Sequence, residues 1–160
     1  MNNQKNFNRI ISNNIYFKKK KYALIIGATP SKGARSPKLW NKVYKKYKEY
    51  TKMFPADVST KNLKKLMYYL TSDNSFVGSA VTAPYKEKIL KYINSISPEA
   101  KVIGSINTIK KIDNKLVGHN TDYHGAIKSL ITFQKKKNIL ILGCGGAGKA
   151  VILACIKNNY

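Results

Sequence analysis

The chain has 160 residues, 43% of them hydrophobic and 11% aromatic, which is room for one domain with a proper core, or for one small domain and part of another. Its 30 Lys and Arg against 7 Asp and Glu give a formal charge of +23, but the cations are spread along the whole chain and only Arg9 and Arg35 are arginines. That is few for a reader of bases, so the charge is read as a lysine-rich composition, with non-specific polyanion binding at low salt as a side effect.

No apolar run is long enough to span a bilayer, and residues 1–21 lack the apolar centre of a signal peptide. A cytoplasmic, reducing location is therefore expected, with Cys144 and Cys155 as reduced core thiols rather than a disulfide or metal pair. His119 and His124 have no Cys or His partner at ligand spacing, so no metal site is expected.

In chain order, residues 1–20 read as a flexible, basic, Asn/Lys-rich arm with at most a short strand near Ile10 and Ile11. Tyr22 to Ile26 is a continuous apolar run, the pattern of a strand buried on both faces, and Gly27-Ala28-Thr29-Pro30 ends it in a turn. Ser36-Pro37 then opens a helix with Leu39, Val43 and Tyr47 four residues apart. Met53 to Val58 is a second strand, placed near an edge by Pro55. Thr60 caps a helix whose inner face is Leu63, Leu66, Met67 and Leu70. Phe76 to Val81 is a third strand and Pro84 to Ile93 a third helix. This alternation indicates parallel βαβ units, in which ligands bind at the carboxyl ends of the strands. From Ser105 the rhythm changes: Ile106 to Ile112, an Asp113-Asn114 turn, and Leu116-Val117 form a hairpin at the sheet edge, followed by a helix from Asp122 to Phe133.

The last segment is a strand, Asn138 to Leu142, then G-C-G-G-A-G from Gly143 to Gly148 and the start of a helix. Such a turn lets backbone amides approach a pyrophosphate at the helix N-terminus. The acidic residue expected about 20 positions later to hold a ribose would fall past Tyr160, so only the first strand-turn-helix of a nucleotide domain is expected here.

Within Gly78 to Lys86, G-S-A-V-T-A-P-Y-K, Thr82 stands where a helix cap would and Lys86 falls in the first helical turn. The positive end of a helix disfavours an ammonium there, a setting in which a lysine moves protons. A lone lysine near a helix start is more often solvated surface, and the residues downstream decide between the two readings.

Three ordered blocks resemble shikimate dehydrogenase and its close relatives: the turn from Pro30 to Ser36-Pro37; V-T-A-P-Y-K, Val81 to Lys86; and I-N-T-I with G-H-N-T-D, Ile106 to Ile109 and Gly118 to Asp122. The resemblance covers residues 22–160. It implies an α/β protein: a βαβ substrate domain with a mostly parallel sheet and edge hairpin, then the start of a Rossmann-type domain. The implied divisions are an arm at 1–20, a substrate-binding domain at 21–121, a linking helix at 122–135 and the truncated start of the NADP-binding domain at 136–160.

By the same likeness the activity is NADP-dependent, reversible reduction of 3-dehydroshikimate to shikimate or a related ring hydroxy acid, in aromatic amino acid biosynthesis. Lys86 is then the general acid/base and Asp122 its partner. Ser36, Thr82, Asn107 and Asp122 bind the substrate, and Gly143, Cys144, Gly145, Gly146 and Ala147 the cofactor. The plain alternatives are a hairpin-organising amide for Asn107 and a helix cap for Asp122. Where the family has a histidine and two serines around its carboxylate clamp, this chain has Gly33, Ala34 and Ser36, with Arg35 available to pair with a carboxylate. Ala80 replaces the asparagine before V-T. A truncated, non-catalytic module that binds a hydroxy acid is the alternative function; no specific nucleic-acid partner and no membrane partner is expected, and the oligomeric state is not legible.

Overall fold

A computed structural model describes residues 2–16, 21–132 and 138–160. A six-stranded sheet carries the fold, in the order β2-β1-β3-β5-β6-β4. The strands are β1 (Lys21–Gly27), β2 (Thr51–Asp57), β3 (Phe76–Val81), β4 (Ser95–Ile96), β5 (Thr108–Ile112) and β6 (Lys115–His119). β1 pairs in parallel with β2 and β3. β5 runs antiparallel to both β3 and β6. The two-residue β4 lies parallel to β6 at the far edge. The hairpin expected at the edge is therefore inside the sheet, and its Asp113-Asn114 turn has positive φ at both residues (46° and 59°), the turn whose twist matches the strands it joins.

The helices are α1 (Asn2–Asn8), α2 (Ser36–Lys46), α3 (Thr60–Ser72), α4 (Tyr85–Lys88), α5 (Pro98–Ile103), α6 (Thr121–Leu130) and α7 (Gly146–Lys157). Continuous apolar character in β1 buries its residues 22–27 between layers, as the run Tyr22 to Ile26 requires. α3 turns Leu63, Leu66, Met67 and Leu70 inward, all buried. α2 behaves differently: none of its residues is buried, and Leu39, Val43 and Tyr47 lie on its exposed side. It is held instead through Asn41, whose amide donates to Met53 O (3.0 Å) and accepts from Met53 N (2.8 Å) on β2.

The N-terminal arm is a correction. Residues 2–16 fold back onto the core, with α1 at their start and no strand at Ile10 or Ile11. Phe7, Ile10, Ile11 and Ile15 are buried in the main apolar cluster, and each such burial is worth about 1.5–3 kcal/mol, enough to offset the ordering of a short segment. Asn13 donates to Pro55 O (2.9 Å) and accepts from Asp57 N (2.7 Å), while Ser12 N donates to Asp57 O (2.7 Å). The arm thus satisfies the outer edge of β2, the strand that Pro55 marks as an edge.

Two further expectations change. The third helix is one short α-turn, α4, followed by a 3₁₀ turn at Leu90–Tyr92. Residues 138–142 form no strand, since no neighbouring chain among the described residues offers them a ladder; Leu140 and Leu142 are exposed. The helix after the hairpin runs over Thr121–Leu130, and Phe133, with residues 134–137 of the expected linker, lies outside the described residues. Both cysteines are free, but only Cys155 is buried; Cys144 is exposed and is not a core thiol.

Candidate functional site

The carboxyl ends of β1, β2 and β3 lie side by side, with Gly27 in register with Asp57 and Ile26 with Val81. β3 stops at Val81, and the chain turns through Thr82, Ala83 and the cis-linked Pro84 into α4. Thr82 anchors this turn by its backbone, its N–H donating to Ile26 O (2.9 Å) and its carbonyl accepting from Tyr85 N (3.0 Å). No side-chain cap bond forms at the start of α4. Tyr85 is buried, and its hydroxyl donates to Val58 O (2.5 Å). Tyr85 is thereby pinned inward, and Lys86 follows it in α4.

Lys86 Nζ meets Asp122 Oδ2 at 2.6 Å, with the two side chains 22% and 31% exposed. The four-residue α4 is too short to supply the field expected of a helix terminus, so the carboxylate is the group that sets the surroundings of this ammonium. Asp122 stands in the first turn of α6, where an acidic group is favoured. Its other oxygen accepts from Asn107 Nδ2 at 2.8 Å. The same amide donates to Thr121 Oγ1 (2.8 Å), and its oxygen accepts from Thr121 N (2.8 Å). Asn107 therefore does organise the end of the hairpin, and it also fixes the carboxylate that faces Lys86. Its backbone is held between strands, with Val81 N donating to Asn107 O (2.7 Å) and Asn107 N to His119 O (3.1 Å).

A cavity of about 560 Å³ opens beside Lys86. Thr82 to Pro84 and Lys86 to Lys88 form one wall; Leu142, Gly143 and Gly145 to Gly148 form the other. The glycine turn comes close enough that a Cβ on Gly146 would lie 3.0 Å from Ser105 Oγ and 3.1 Å from Lys86 Cβ. A Cβ on Gly148 would lie 2.2 Å from Gly143 O, so the turn itself demands glycine there. α7 begins at Gly146 with no side-chain cap, which leaves its first amides directed at whatever lies before it.

The structure thus brings Thr82, Lys86, Gly143, Gly145, Gly146 and Ala147 to one cavity and joins Asn107 and Asp122 to it through Lys86. Cys144 is exposed and does not line it, and Ser36 begins α2 with no bond to this cluster.

Two residues missed in the sequence tie the walls together. Asn120, buried, caps α6 by accepting from Tyr123 N (3.3 Å) and donates to Ser105 O and Oγ (3.1 and 3.0 Å). Ser105 Oγ in turn donates to Gly146 O (3.2 Å). The signal was present: Asn before Thr-Asp at a helix start is a cap pattern. The exposed pair Lys149–Glu87 (2.9 Å) also bridges the walls, though such pairs contribute about 1 kcal/mol at most.

Comparison with known proteins agrees with this layout. Residues 25–109 match the family described as Shikimate dehydrogenase substrate binding domain. The shikimate dehydrogenase (NADP(+)) of Streptococcus thermophilus is 34% identical over 130 residues, 81% of this chain and 45% of that protein. The crystal structure of shikimate dehydrogenase from Aquifex aeolicus superposes with a TM-score of 0.81 at 32% identity, over 91% of this chain and 55% of the other. That of shikimate 5-dehydrogenase from Thermus thermophilus, solved with NADP(H) and shikimate, gives 0.78 at 27% identity, over 86% and 52%. The chain spans about half the length of the curated relatives it matches. With a family match across more than half of its residues, the chain belongs to the shikimate dehydrogenase family.

Proposed function

We propose that this chain forms the acid-binding half, with the phosphate-binding turn, of an NADP-linked dehydrogenase that interconverts a ring ketone and a ring alcohol on a shikimate-like acid. The observation that carries this reading is the Asn107–Asp122–Lys86 chain of hydrogen bonds, standing against a glycine turn at the carboxyl end of the sheet.

The turn suits a dinucleotide: its backbone leaves no room for a side chain at Gly148, one at Gly146 would crowd Ser105 and Lys86, and the uncapped first amides of α7 are free to receive an anion. NADP, when bound, supplies or accepts the hydride. The residues of this chain do the rest. As the ketone is reduced, Lys86 Nζ gives a proton to the oxygen that gains charge, and in the reverse direction it takes that proton from the hydroxyl. Asp122, held by Asn107, keeps the ammonium aimed and accepts a neighbouring hydroxyl of the ligand. The Thr82 hydroxyl offers a further hydrogen bond from the same wall. Ser36 and Arg35, at the uncapped start of α2, receive the carboxylate.

The test is NADP reduction driven by shikimate or quinate, followed by absorbance, with Lys86→Ala as control. Shikimate-dependent reduction that falls by about 10²–10⁴-fold in Lys86→Ala is expected of a general acid/base. Shikimate binding that is indifferent to NADP and accompanied by no reduction would instead establish a binding module without turnover.

A further inference from the structure

Asp57 is one of seven acidic residues in a chain with thirty basic ones, yet it forms no ion pair among the described residues. It is only 8% exposed and ends β2, in register with Gly27 at the carboxyl edge of the sheet. A carboxylate is costly to bury unless its oxygens are hydrogen-bonded. Both of its oxygens are used on a single neighbour: Oδ1 accepts from Ser31 N (2.8 Å) and Oδ2 from Ser31 Oγ (2.5 Å).

Ser31 sits in the 3₁₀ turn Pro30–Lys32, within the segment that leads from β1 to Ser36. That segment is largely exposed beyond the buried Pro30 and contains Gly33. Among the described residues, Asp57 is the side chain that holds it. The backbone of Asp57 is itself held from the outer side by Asn13 and Ser12, in an arm that lies outside the matched family region of 25–109. The order of contacts is therefore arm, strand end, carboxylate, turn, Ser36.

We propose that Asp57 is a positioning residue: by clamping Ser31 it fixes the 30–36 segment so that Arg35, Ser36 and the first amides of α2 are set to receive the carboxylate of the ligand. This rests on the acid-binding reading given above. Asp57 touches no ligand, and its effect is confined to the part of the ligand that the turn grips. The charge itself is not required. An asparagine accepts from Ser31 N with its oxygen and donates to Ser31 Oγ with its amide, whereas alanine does neither.

The experiment titrates shikimate and its methyl ester, calorimetrically, into the wild-type chain and the Asp57→Ala, Asp57→Asn and Ser31→Ala variants. Wild type is expected to prefer the free acid. Asp57→Ala weakens shikimate on the order of tenfold and leaves the ester unchanged, so the preference collapses; Asp57→Asn restores it. Ser31→Ala, at an exposed position and so safe for folding, gives a smaller loss in the same sense, and combining it with Asp57→Ala adds nothing further. Equal weakening of both ligands, or an unchanged preference in Asp57→Ala and Ser31→Ala, overturns the proposal while leaving acid binding intact. A wild-type chain that binds neither ligand overturns the acid-binding reading itself and this inference with it.

Discussion

At the scale of single residues, placement of charge separates the groups that act from those that only pack. Lys86 is one lysine among many, and what distinguishes it is a carboxylate 2.6 Å away whose second oxygen is already taken by Asn107. A different acidic residue shows the structural use of the same chemistry. Asp73 Oδ2 accepts from Tyr22 OH (2.6 Å), while Lys111 Nζ donates to Asp73 O (2.9 Å). Desolvation first, and Asp73 second, push the Tyr22 phenol far above its ordinary range, and the same two causes push Tyr69 up to about 12. Both phenols are thus held neutral in the folded state. Their contribution to stability is complete below the ordinary tyrosine value of 10.0 and is lost as pH rises through the folded-state values. Denaturant midpoints measured at rising alkaline pH are expected to fall above about pH 10. The fall is expected to be shallower in a Tyr22→Phe/Tyr69→Phe variant; identical slopes in the two proteins would show that the linkage lies elsewhere.

At the scale of elements, the test falls on the N-terminal segment. Phe7 is fully buried and its ring lies 6.1 Å from that of Tyr22 and 5.4 Å from that of Tyr69. Phe7→Ala is expected to cost about 3–5 kcal/mol, read as a lowered urea midpoint. A loss below about 0.5 kcal/mol, typical of exposed positions, would restore the loose arm.

The reason this segment escaped the sequence is physical. Phe7, Ile10, Ile11 and Ile15 already stand at i, i+3, i+4 and i+8, but they are set among Asn, Lys and Arg, and composition outweighed spacing. β1, α3 and β3 were legible because their apolar periodicity is dense. The hairpin was legible from Asp113-Asn114, though not its position in the sheet, which depends on the pairing of β5 with β3. α5 was missed although Ser97, Pro98 and a left-handed Gly104 mark both of its ends. Ser36-Pro37 did mark a helix start, but the face of Leu39, Val43 and Tyr47 turned out to be the exposed one; spacing shows that a stripe exists and not what covers it.

At the scale of the whole molecule, the sheet presents the ends of β1, β2 and β3 on one edge, and the groups with chemical character collect there: Asp57, Thr82, Lys86 and, through α6, Asp122. The facing wall is the glycine turn, tied across by Ser105 and Asn120. Thr82, Lys86, Asn107 and Asp122, which the structure brings to one edge, stand out in the sequence because each lies in a short block whose order along the chain is itself informative; Ser36, marked by the same kind of block, makes no bond to this cluster. Asp57 and Ser105 do not stand out, because their contacts join segments that are 26 and 41 residues apart in sequence.

On the proposed function, this edge, and not the basic surface at large, receives a hydroxy acid. The most direct test is a titration of shikimate into the isotope-labelled chain, followed by amide and side-chain chemical shifts at physiological salt. Saturable shifts confined to Arg35, Ser36, Thr82, Lys86, Asn107, Thr121 and Asp122 are expected, absent when Lys86 and Asp122 are replaced together by alanine. Shifts scattered over the surface lysines and abolished by salt, or none at these residues, would contradict it.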